Sequence, residues 1–126
     1  MKKIIVADDS GMARLFIIKC LGVLGYTDYE IIECENGAEA LEEVRKGGVS
    51  FLITDLTMPV MGGLELVTQM SEENISVDKL IVVTSAGNPA KEAELSRFGA
   101  SIINKPISPA KLSEKLSSND EADEWG

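Results

Sequence analysis

Phe51-Leu52-Ile53-Thr54-Asp55-Leu56-Thr57-Met58-Pro59 decides the reading of this 126-residue chain. An apolar, β-branched run passes straight into a carboxylate, Asp55. Met58-Pro59 cannot continue a regular strand, because proline has no amide proton and biases the residue before it towards extended backbone. Gly62-Gly63 then frees the backbone ahead of the next helical pattern. An aspartate at the C-terminal end of a buried strand is costly without a partner. That partner has to come from elsewhere in the chain.

Outward from this stretch, apolar runs alternate with helical patterns. Ile4-Ile5-Val6-Ala7 is a first strand, closed by Asp8-Asp9. Met12 to Leu24 reads as a largely buried helix, charged only at Arg14 and Lys19 and stopped by Gly25. Glu30-Ile31-Ile32-Glu33-Cys34 is a second strand whose flanking glutamates suit a sheet edge. Asn36-Gly37 is a turn signal. Ala38, Leu41 and Val44 then mark an amphipathic helix ended by Gly47-Gly48. Beyond the third strand, Leu64, Val67 and Met70 mark another helix. Leu80-Ile81-Val82-Val83 is a fourth strand ending in Thr84-Ser85. Asn88-Pro89 is an N-cap and first-position pair for a helix carrying Ala90, Ala93 and Phe98. Ser101-Ile102-Ile103-Asn104 is a fifth strand, ending in Lys105-Pro106. Ser108-Pro109 opens a last helix with Leu112 and Leu116 on one face. Five short, non-alternating strands separated by helices predict a parallel sheet covered on both faces, a three-layer doubly wound α/β domain.

The chain is read as one domain over residues 1–117 with an acidic, disordered tail over 118–126. Asp120, Glu121, Asp123 and Glu124 in that tail carry four of the nine net negative charges. Such a balance argues against nucleic acid and anionic membranes as partners. The apolar run after Met1-Lys2-Lys3 is too short for a signal peptide or a membrane span, which predicts a cytoplasmic protein. Cys20 and Cys34 lack metal-binding spacing, there is no histidine, and both read as reduced thiols in or near the core.

The strand ends carry the chemistry. Asp8, Asp9, Asp55, Thr84 and Lys105 terminate four of the five apolar runs. In open parallel sheets, sites form outside the carboxyl ends of the strands. Each residue has a plainer role by itself: a helix cap, a turn residue, a solvated loop lysine, a strand-edge threonine. Together they predict three carboxylates, a hydroxyl and an ammonium in one pocket. Carboxylates that crowd together call for a hard divalent cation, Mg²⁺ with Mn²⁺ as its usual substitute. Lys105 and Thr84 suit a phosphate-type ligand, and Asp55 is placed to attack phosphorus and become an aspartyl phosphate.

Six pieces of sequence then resemble the receiver domain of two-component response regulators in its single-domain, chemotaxis-regulator-like (CheY-like) form. They are Val6-Ala7-Asp8-Asp9-Ser10, Glu35 to Leu41, Asp55 to Glu65, Thr84-Ser85-Ala86, Phe98-Gly99-Ala100 and Lys105-Pro106. The match spans about residues 2–117, and the six in this order are specific where any one is weak.

The resemblance implies a flavodoxin-like (βα)5 fold with strand order 2-1-3-4-5. It implies Asp55 as phosphoacceptor, and Mg²⁺ held by Asp8, Asp9, Asp55 and the backbone carbonyl of Thr57. It further implies Thr84 on the phosphoryl group and Lys105 paired to it, with Lys105-Pro106 often a cis peptide. The donor would be a sensor histidine kinase or phosphotransfer protein. The protein would be a monomer, not an enzyme beyond its own phosphorylation and dephosphorylation. With no output domain after the last helix, it would act on a separate effector. The effector would dock on the face of the fourth helix, fifth strand and fifth helix, where Lys91, Arg97, Lys111 and Lys115 would lie.

Three positions depart from the family pattern. Ile102 stands where many relatives carry a switching Tyr or Phe. Ser85 follows Thr84 where Ala is usual. Thr57 and Ala86 offer no carboxylate or amide to orient water, so slow autodephosphorylation is expected. Other readings fit less well. A Mg²⁺-dependent aspartyl-phosphate phosphatase of the haloacid-dehalogenase type wants an acid two residues after its nucleophile, and Thr57 stands there. Asp8-Asp9-Ser10-Gly11 is not a glycine-rich nucleotide loop. A degenerate receiver serving as a binding scaffold would have no need for all five polar residues.

Overall fold

A computed structural model of the chain describes residues 2–85 and 88–125, with side chains up to Ser117. The elements are β1 (Lys3–Ala7), α1 (Gly11–Val23), β2 (Glu30–Cys34), α2 (Gly37–Arg45), β3 (Val49–Asp55), α3 (Gly63–Glu72), β4 (Lys79–Thr84), α4 (Pro89–Arg97), β5 (Ser101–Asn104) and α5 (Pro109–Trp125). All strand pairs are parallel, in the order β2-β1-β3-β4-β5. This is the doubly wound flavodoxin-like arrangement, with β2 at an edge as its glutamates suggest. The side chains of the expected tail, 118–126, lie outside the described residues, as do Ala86 and Gly87.

Strand side chains alternate between the two faces. Ile4, Val6, Phe51, Ile53, Ile81, Val83 and Ile103 point to one layer, where they meet Ile17, Cys20 and Leu21 of α1 and Leu112 and Leu116 of α5. Ile5, Ala7 and Leu52 point to the other, against Ala40, Leu41 and Val44 of α2 and Leu66 and Met70 of α3. A smaller cluster of Leu56, Val67, Val82 and Leu95 fills the space under α4. Both cysteines are free and buried. Burial pushes the Cys34 thiol up to about 12.

Helix ends follow local chemistry. Ser10, not Asp8 or Asp9, caps α1: its hydroxyl accepts from the Ala13 amide at 3.2 Å. Asn36 caps α2 through the Glu39 amide at 2.9 Å, and Glu39 returns to the Glu35 amide at 2.8 Å. Asn88 caps α4 through the Lys91 amide at 3.3 Å, with Pro89 in the first turn as its spacing predicts.

Three helical faces differ from the sequence expectation. α1 is not largely buried. Ile17, Cys20 and Leu21 face the core, but Met12, Leu15, Phe16 and Val23 are exposed. One helix laid on one sheet face buries one stripe, however apolar its other side. The α2 stripe runs through Gly37, Ala40, Leu41 and Val44 rather than Ala38. In α4, Ala90 and Ala93 are exposed, and the anchor is Leu95, the helix's one fully buried side chain. The two alanines have too little area to drive docking, so the leucine sets the rotation.

α2 and α3 are joined across their outer ends. Arg45 donates to both oxygens of Glu73 at 2.8 and 2.5 Å, and Gln69 donates to Glu73 at 2.8 Å. These bonds, Arg45 first and Gln69 second, hold the Glu73 carboxyl down from 4.5 to about 2. A lowered folded-state value stabilises the fold above the unfolded value and ceases to do so as pH falls towards the folded one. Glu73→Gln should therefore lower the urea midpoint modestly at pH 7, as surface pairs do. The difference should shrink as pH falls from 4.5 towards 2, which parallel urea titrations of the two proteins would show.

Candidate functional site

The register of the sheet brings the polar strand ends together. Ala7 lies opposite Thr54, so Asp8 and Asp55 follow at the next rung. Asp55 lies opposite Val83, and Thr84 opposite Asn104. The ladder runs one residue past three strands. The amides of Asp8, Leu56 and Lys105 donate to the carbonyls of Cys34, Val83 and Thr84 at 3.0, 2.9 and 2.9 Å. Backbone hydrogen bonds thus fix these positions before any side chain acts.

Below Asp55, α3 starts unusually close. A Cβ on Gly63 would lie 2.6 Å from the Asp55 carbonyl oxygen, and one on Gly62 2.8 Å from that of Leu56. Only glycine permits this approach. The Gly63 amide uses it to donate to the Leu56 carbonyl at 2.8 Å.

Carboxylate oxygens of Asp8, Asp9 and Asp55 lie within 4.8 Å of one another. Asp8 and Asp55 are buried and Asp9 is exposed. One Asp8 oxygen accepts from the Ser10 amide at 2.9 Å. Lys105 Nζ stands 3.2 Å from Asp55 Oδ1, its own side chain 41% exposed. Burial raises the Asp55 carboxyl above its ordinary 3.8, the Asp8 charge raises it further, and Lys105 opposes both. The all-oxygen donor set fits a hard divalent cation such as Mg²⁺. Asp8, Asp9 and Asp55 are the residues that would hold it.

The Thr84 hydroxyl, buried, donates to the Ser85 carbonyl at 2.9 Å. A cleft of about 220 Å³ opens between Asp55, Thr57, Thr84, Asn88, Lys91 and Lys105. Asn88 and Lys91 enter it because capping places the first turn of α4 over the end of β4. The helix-face pattern alone gives Lys91 no such position. The four basic residues expected on one docking face divide. Lys91 opens onto the cleft, and Arg97 lines a separate cavity with Met70 and Phe98. Lys111 and Lys115 border a groove with Ile102, Asn104 and Glu114. Lys111 is tied down, donating to the carbonyls of Asn104 and Pro106 at 3.1 and 2.8 Å. The Lys105-Pro106 peptide is cis.

Residues 4–117 match the family described as the response regulator receiver domain. This chain belongs to that family. As a receiver domain it is a signalling module of two-component systems. It is 37% identical to the chemotaxis protein CheY1 of Helicobacter pylori over 117 residues, covering 90% of this chain and 93% of that one. A CheY homologue of Campylobacter jejuni is 39% identical, covering 90% and 88%. The crystal structure of Vibrio cholerae chemotaxis protein CheY4 superposes with a TM-score of 0.78 at 29% identity, covering 94% of this receiver and 98% of that chain. Among the described residues no helix is long and apolar enough to cross a membrane.

In the receiver, ionised Asp55 carries a penalty that is present above its folded-state value and absent below 3.8. Asp55→Asn should accordingly raise the thermal midpoint in chelator at pH 7. The gain should shrink as pH falls through the carboxylate range. Calorimetric scans across pH would detect it.

Proposed function

We propose that Asp55 accepts a phosphoryl group from a phosphohistidine of a sensor kinase or phosphotransfer protein. The carrying observation is the contact of Lys105 with one Asp55 oxygen, within a cleft that also holds Thr84 and borders two further carboxylates. The Asp55 carboxylate attacks phosphorus, a new O–P bond forms, and the P–N bond to imidazole breaks. The imidazole leaves with its electron pair and takes a proton from solvent. Lys105 offers a positive charge to a phosphoryl oxygen. Thr84 can turn its hydroxyl from the Ser85 carbonyl to another phosphoryl oxygen. A Mg²⁺ held by Asp8, Asp9, Asp55 and the Thr57 carbonyl would neutralise negative charge on the transferring group.

The output is binding rather than chemistry. Phosphorylation alters affinity for a separate effector protein on the face of α4, β5 and α5. Two supports are the chemotaxis relatives and the cleft position of Asn88 and Lys91, which joins the site to the start of α4. The effector would meet the groove between β5 and α5, bordered by Ile102, Lys111 and Lys115. The protein is proposed to act as a monomer.

Incubation with Mg²⁺ and a small phosphodonor should add one phosphoryl group, measured as intact mass. Asp55→Asn and excess chelator should each abolish the gain. No gain in a wild type that binds Mg²⁺ and also ignores phosphohistidine donors would favour a scaffold role. With Thr57 on the lip of the cleft and no carboxylate there, water is poorly held for attack. The phosphoryl group should therefore persist for minutes or longer in the purified protein, and decay within seconds would refute this.

A further inference from the structure

We infer that Arg14 is a positioning residue for the cation site, bracing the Asp8-Asp9 segment against β2. The inference rests on the reading that Asp8, Asp9 and Asp55 hold a divalent cation. Arg14 lies one turn into α1, its side chain 14% exposed. Its Nη1 donates to the Asp8 carbonyl at 2.6 Å, and its Nε donates to Glu33 Oε1 at 2.8 Å. Its own amide donates to the Ser10 carbonyl at 3.1 Å. The Asp8 amide is held by Cys34 and one Asp8 carboxylate oxygen by the Ser10 amide. Amide, carbonyl and one carboxylate oxygen of Asp8 are therefore all engaged. The Asp8 side chain is aimed with its other oxygen free, and Asp9 follows directly on a fixed backbone.

Charge and geometry make opposite predictions here. A guanidinium beside a cation site repels the cation, so removing it would tighten binding. A brace that aims a ligand strengthens binding, so removing it would loosen it. Glu33 at 2.8 Å offsets the guanidinium charge, and the pair presents only a dipole to the site. Geometry should therefore prevail. The fork also matters: one planar group serves a carbonyl on one side and a carboxylate on the other, which a lysine ammonium cannot reproduce.

The test is Mg²⁺ titration calorimetry of the full chain as wild type, Arg14→Gln and Arg14→Lys, with the thermal midpoint of each measured in chelator. Both variants should bind Mg²⁺ about tenfold more weakly, the low end for losing a group that orients a metal ligand. Arg14→Lys should be as weak as Arg14→Gln although it keeps the charge, and it carries the test if the glutamine variant does not fold. Three outcomes would overturn the assignment: wild-type affinity in Arg14→Lys, tighter binding in Arg14→Gln, or a lowered midpoint with unchanged Mg²⁺ affinity. A wild type that binds no Mg²⁺ would overturn the cation reading itself, and this inference with it.

Discussion

Mutual repulsion of three carboxylates at one end of the sheet is the constraint on which the rest depends. At separations below 4.8 Å, each like-charged pair is unfavourable by on the order of 3 kcal/mol at the effective dielectric of a protein surface. One partly exposed ammonium, Lys105, cannot offset all of it. The fold keeps the groups in place by other means. Backbone ladders extend past β1, β3 and β5, two glycines let α3 press against the end of β3, and Arg14 engages the Asp8 carbonyl. Each device acts on backbone, so none is undone when the carboxylates change their charge. The stored repulsion is what a divalent cation at these carboxylates would relieve, which would couple cation binding to the stability of the domain.

Much of this was legible in the chain. The strands were, because a sheet covered on both faces leaves continuous apolar runs with the polar residue at the end. The site was legible for the same reason: Asp8, Asp55, Thr84 and Lys105 each interrupt such a run, and parallel order sets those interruptions side by side. The helical faces were less so. The α1 sequence is apolar on both sides, and nothing in it says that Met12 and Phe16 face outwards while Ile17 and Leu21 face inwards. In α4, a spacing of alanines suggested one stripe where a single leucine decided another. Arg14 and Lys91 were visible only as helix charges. Their partners are a carbonyl and a cleft, and neither is encoded by side-chain type.

Ile102 illustrates how a departure from the family pattern is accommodated. It is half-buried beside the cluster of Leu56, Val82 and Leu95. Leu56 belongs to the same cluster and follows Asp55 directly. An apolar contact therefore runs from the residue after Asp55 to the underside of α4 and on to β5. A branched aliphatic side chain fills this space without the hydroxyl or ring that would draw it between buried and solvent-facing positions. At this position the receiver has an apolar packing contact and no aromatic ring to rotate.

The single leucine beneath α4 has an energetic corollary. Exposing one leucine side chain forfeits about 2 kcal/mol. A displaced α4 that gives up only that contact would be occupied by roughly one molecule in thirty at rest. One charge-assisted hydrogen bond is worth about as much as that difference, ~1.5–3 kcal/mol. The one fully buried contact that seats α4 is therefore of the same size as a single charge-assisted hydrogen bond.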